Sequence, residues 1–155
     1  MSRIAFLVVA GFVALTSFLG GLVMALGSWL GPERLGLPPE VMIPNSMLAG
    51  SPFASFLVPG ILLAVIVGGT HVAAVVLVIG NHRWGQLMAA AAGYSILIWI
   101  FVQMVFIPFS VLQLVYFLAG LAEIGFLLLM LGLLTPQGAT HVHTASEPRR
   151  SVQGA

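Results

Sequence analysis

Residues 87–134, LMAAAAGYSILIWIFVQMVFIPFSVLQLVYFLAGLAEIGFLLLMLGLL, contain a single charged side chain, that of Glu123. As one helix rising ~1.5 Å per residue, this stretch would be roughly 70 Å long, more than twice the ~30 Å hydrocarbon core of a bilayer. It must fold back on itself. Pro108, followed by Phe109 and Ser110, marks the turn, because proline cannot continue a helix. The stretch therefore reads as two membrane spans, about 85–107 and 111–134, joined by a tight hairpin.

Working outward, two more nearly uncharged runs of span length appear, at about 4–30 and 53–80. The whole chain agrees with this pattern. Of its 155 residues 60% are hydrophobic and only 6% charged, with a mean hydropathy of +1.14. A soluble domain carries roughly 25% charged residues, so a soluble globular enzyme is excluded. The expected fold is all-α: a polytopic membrane protein forming a four-helix transmembrane bundle over residues 1–134, with a disordered tail at 135–155. The first apolar run, about 27 residues, exceeds the usual ~7–15 of a signal-peptide core, which makes it a span rather than a cleaved leader.

Arginine placement orients the bundle. Arg3, Arg83, Arg149 and Arg150 fall on the side of the termini and Arg34 alone on the other, which puts both termini in the cytoplasm of a multi-pass cell-membrane protein. Trp29 and Trp84 fall at opposite interfaces, as belt residues do. The first loop, about 31–52, carries Pro32, Pro38, Pro39, Pro44 and Pro52, yet also Val41, Met42, Ile43, Met47 and Leu48. A loop so apolar should lie on the membrane surface, with a short helix beginning at Pro39–Glu40. The tail is rich in Gly, Pro, Ser, Thr and Gln and cannot bury enough apolar surface to order itself. Its His141 and His143 supply two ligands without a third, so no metal site is expected.

The interior polar residues are the candidate functional groups. Glu123 stands near the middle of the fourth span, where an ionisable side chain costs roughly 2.5–3.5 kcal/mol on insertion scales. At ~100° per residue Gln113, Tyr116, Gly120 and Glu123 share an arc of about 80°, a polar stripe that should face the bundle interior. On the second span Gly60, Ala64, Gly68 and His71 share a similar arc, so His71 rises from a small-residue packing face and can meet Glu123 if the span enters the hydrocarbon near Pro59. Ser17, Gly21, Met24 and Ser28 line the first span, and Ser95, Trp99 and Gln103 the third. A His–Glu pair can hold two helices in register, or it can handle protons.

Other chemistry is excluded more firmly. The absence of cysteine removes thiol catalysis, disulfide exchange and iron–sulfur ligation. One intramembrane histidine cannot give paired haem ligation. No phosphate loop, His-Glu-x-x-His or Gly-x-Ser-x-Gly motif occurs, and a net charge of +1 offers nothing to nucleic acid. No cofactor is expected.

Gly50-Ser51-Pro52-Phe53, Phe56-Leu57-Val58-Pro59-Gly60, Arg83-Trp84-Gly85, and Gln113 with Tyr116-Phe117 resemble a group of small bacterial four-span membrane proteins of uncharacterised function. In size and span number the chain also looks like the DoxX-like four-helix proteins. Both resemblances imply architecture and carry no site residues with them. Two functions follow as expectations: a non-enzymatic accessory or interaction subunit that meets the bilayer and a membrane-protein partner or its own copies, or a proton-linked carrier or ligand binder using Glu123 and His71.

Overall fold

The computed structural model describes residues 1–31, 33–36 and 44–134; the helix start expected at Pro39–Glu40 and the tail with His141 and His143 lie outside the described residues. It contains four helices long and apolar enough to cross a membrane: α1 Ser2–Leu30, α2 Leu57–Ile79, α3 Gly85–Phe106 and α4 Val111–Met130. Each contacts its neighbours in chain order and α4 closes back on α1, so they form a ring in which α2 and α4 stand diagonally opposed. Met1, the α2–α3 turn and the end of α4 gather at one end of the bundle. The α3–α4 hairpin and the segment from Leu48 to Phe56 gather at the other.

The helix ends follow from local chemistry. After α2, Asn81 adopts φ 50°, the His82 N–H donates to the Leu77 carbonyl at 2.9 Å and the Asn81 N–H to Val78 at 3.2 Å. These are the two bonds of a Schellman cap, with asparagine in the left-handed position. The same device stops α4. Gly132 has φ 73°, and Leu133 and Gly132 donate to the carbonyls of Leu128 and Leu129. Helix α4 thus ends at Met130, four residues short of its apolar run, and α2 starts at Leu57 rather than at residue 53. Arg3 adds a tie across the bundle end by donating to the Val78 and Ile79 carbonyls at 2.7 and 3.0 Å.

Small residues bring α1 and α2 into backbone contact. A Cβ at Gly60 would sit 2.6 Å from the Ala25 nitrogen, and one at Gly21 would sit 2.5 Å from the Gly60 oxygen. Gly68 lies against Phe18 of α1. Between these points α2 changes character, because Leu63–Gly68 is a π-helical turn in which the Gly69 N–H reaches the Ala64 carbonyl. In an α-helix every four-residue step drifts about 40° at ~100° per residue. The wider turn offsets that drift, so Gly60, Ala64 and Gly68 all meet α1.

Candidate functional site

Two apolar layers cross the bundle, with a polar pair between them. Phe6, Ala10, Ala74, Val78, Ala89, Ala92 and Leu127 form the layer nearer the termini. Val13, Val67, Ile96 and Ile100 form the layer nearer the hairpin. Between them His71 on α2 and Glu123 on α4 meet across the diagonal, Nε2 to Oε2 at 3.1 Å, both fully buried. Their depths agree because α2 begins at Leu57: His71 lies about four turns in and Glu123 a little over three, at ~3.6 residues per turn. Gly93 and Gly120 let α3 and α4 pack closely beside Glu123, since a Cβ at either would press on an aliphatic side chain at 2.8 Å.

The π turn orients the imidazole. A wider turn disturbs the carbonyl ladder, and two side chains engage the carbonyls of this segment. The Thr70 hydroxyl donates to Ile66 at 2.7 Å, and His71 Nδ1 lies 2.7 Å from the Val67 oxygen. A carbonyl can only accept, so Nδ1 carries a hydrogen. One proton then remains to be shared between Nε2 and Oε2. Held by the carboxyl it gives a neutral pair, and held by the ring it gives an ion pair; the net charge is zero either way. Glu123 Oε1 is buried and has no hydrogen-bond partner among the described residues. Beside the pair, the hydroxyls of Thr70 and Ser95 lie 3.0 Å apart and link α2 to α3.

The other candidate residues lie elsewhere. Gln103, Gln113 and Tyr116 line a separate cavity of about 220 Å³ towards the hairpin, which neither His71 nor Glu123 reaches. Gln113 also starts α4 through a capping box, in which its Oε1 accepts the Ser110 N–H at 2.9 Å while Ser110 Oγ accepts the Gln113 N–H. The Ser-x-x-Gln spacing that announces it is present in the sequence. Tyr116 stacks on Phe12 of α1, centroids 6.2 Å apart. Gly60, Ala64 and Gly68 are buried at the α1 contact.

Two participants are not evident from sequence. Thr70 adjoins His71 and is the kind of polar neighbour that marks a helical irregularity. Ser17 belongs to the α1 stripe, but nothing in its spacing shows that its buried Oγ lacks a partner. Among the described residues no three His, Asp or Glu side chains converge as metal ligands would. Comparison with family models, characterised proteins and solved structures finds no match to this chain.

Proposed function

We propose that this chain is a non-enzymatic integral membrane protein of the cell membrane, an accessory or interaction subunit whose bundle is locked from within by His71 and Glu123. Both termini face the cytoplasm in this reading, and the helix faces meet a membrane-protein partner or further copies of the chain. The observation that supports it is the isolation of the pair. The two side chains bond each other at zero exposure, with an apolar layer on either side and outside the walls of the hairpin-side cavity. A catalytic or transported proton needs a path, whereas a lock needs only a partner. In size and span number the chain is similar to the DoxX-like proteins, a likeness of architecture.

Affinity purification from native membranes in mild detergent should recover a membrane protein at fixed stoichiometry or a defined homo-oligomer. In liposomes under an imposed pH gradient, wild type should pass no more protons than empty vesicles. Flux that disappears in Glu123→Gln, with melting temperature retained, would replace this reading with the proton-linked carrier. One observation favours that second reading: the unpartnered Glu123 Oε1, an acceptor still open to a proton.

A further inference from the structure

The cavity of about 220 Å³ lies between the helices on the hairpin side of the Val13–Val67–Ile96 layer. Its wall has a definite chemistry. Ser17 is 2% exposed and its Oγ has no hydrogen-bond partner among the described residues. Its neighbour Thr16 shows what a helical hydroxyl ordinarily does: it donates to the Phe12 carbonyl one turn back, at 2.8 Å. Ser17 makes no such bond.

Of the remaining polar groups, Gln113 is fixed as a donor. The Ser110 N–H requires the oxygen of Gln113 to face it, which leaves the Gln113 amide NH₂ for the cavity. Gln103 and Tyr116 contribute an amide and a phenol, and neither makes a side-chain hydrogen bond to the described residues. Among the described residues no Asp, Glu, Lys, Arg or His lines the space, so a charged guest would be buried without a counter-charge. Trp99, Met24 and their aliphatic neighbours form the rest of the wall. At ~30 Å³ per water the cavity would hold about seven waters, a volume suited to a fragment and below the ~300–1,000 Å³ of drug-sized sites.

We propose that this cavity binds an uncharged amphiphile, whose carbonyl or hydroxyl oxygen bonds Ser17 and the glutamine amides while its hydrocarbon part lies against Trp99 and Met24. That chemistry belongs equally to the ester end of a bilayer lipid and to a free medium-chain alcohol, ester or amide. The site is distinct from the His71–Glu123 lock, and its occupancy does not depend on that role.

The test uses the full chain in lipid nanodiscs with Trp29→Phe and Trp84→Phe, leaving Trp99 as the sole reporter, titrated with 1-octanol. The emission of Trp99 should change saturably. Ser17→Ala should weaken the half-saturation about fivefold or more, the loss expected for one hydrogen bond. Ser17→Leu, which fills the space, should abolish the response, and octane and octanoate should not reproduce it. If Ser17→Leu does not fold, Gln103→Leu takes its place: that half-buried substitution deletes an amide without filling the space and should weaken the half-saturation as Ser17→Ala does. A linear response equal to that of a chain reporting from Trp84 alone, or a saturable one indifferent to Ser17→Ala, Ser17→Leu and Gln103→Leu, would overturn the proposal. Native mass spectrometry separates the sources. A lipid retained by wild type, displaced by octanol and lost in the filled variant identifies the bilayer as the donor. No retained lipid together with saturable octanol binding identifies a free amphiphile.

Discussion

The His71–Glu123 bridge is balanced as a pair and unbalanced when halved, and the two halves are not equivalent. His71→Leu leaves a buried carboxyl with neither oxygen bonded, because Oε1 already lacks a partner. Glu123→Leu leaves an imidazole that keeps its Nδ1–H bond to Val67. The first should therefore destabilise more, by about 3 kcal/mol or beyond as buried pairs do when one member is removed, and the double variant should recover part of the loss. Thermal unfolding of the four chains in detergent gives the coupling energy, expected at about 1 kcal/mol or more. Additive losses would mean that each side chain is held by something else. That these two residues matter is legible in the sequence, since an ionisable group in an uncharged span stands out against its background. That Gln113 and Tyr116 stand apart from Glu123 is not legible on a helical wheel, which preserves angle and discards depth. Ten residues at ~1.5 Å separate Gln113 from Glu123 by about 15 Å.

Helix α2 shows what a sequence pattern conveys about an element and what it hides. The small residues Gly60, Ala64 and Gly68 announce a close contact, and the contact exists, against α1. The π turn between them is not legible, because it alters register without altering composition. Nor are the helix ends: apolar character continues to Leu134, whereas the left-handed Gly132 and its two backbone bonds end α4 at Met130. The tightness of the α1–α2 seam gives a contrast between glycines. Gly60→Ala must push two backbones apart and should lower stability by about 2 kcal/mol, within the range for overpacked sites. Gly11→Ala adds its methyl where nothing lies within 4 Å and should be neutral or gain up to about 1 kcal/mol from helix propensity. Melting temperatures of the two variants decide; equal losses would mean that the seam opens in the membrane. Ser110→Ala, which deletes half of the capping box, should cost about 1 kcal/mol in the same assay.

At the scale of the molecule, the two apolar layers seal the middle of the bundle and separate the hairpin-side cavity from the polar end that carries Arg3 and Arg83. Which way the cavity faces depends on orientation, and orientation rests on arginine. Arg3 and Arg83 lie at the end shared by the amino terminus and the α2–α3 turn, while Arg34 follows α1 at the other. In the proposed orientation, with the positive residues retained in the cytoplasm, the hairpin end and its cavity would face outward. The chain has no cysteine, which makes every introduced thiol the only one present. Ser46→Cys and His82→Cys place single thiols at exposed positions on the two ends without touching the pair or the cavity wall. A membrane-impermeant maleimide applied to intact cells should modify the cysteine at 46, and the cysteine at 82 only after lysis. The reverse pattern would turn the bundle over, place Arg3 and Arg83 outside, and require the amphiphile to enter from the cytoplasmic leaflet. Modification of both in intact cells would mean a mixed insertion, which the weak bias of so few charges makes the informative failure. Adding arginine beside Arg83, through Gln86→Arg, should then restore a single orientation, because each further positive charge on that turn raises the cost of translocating it.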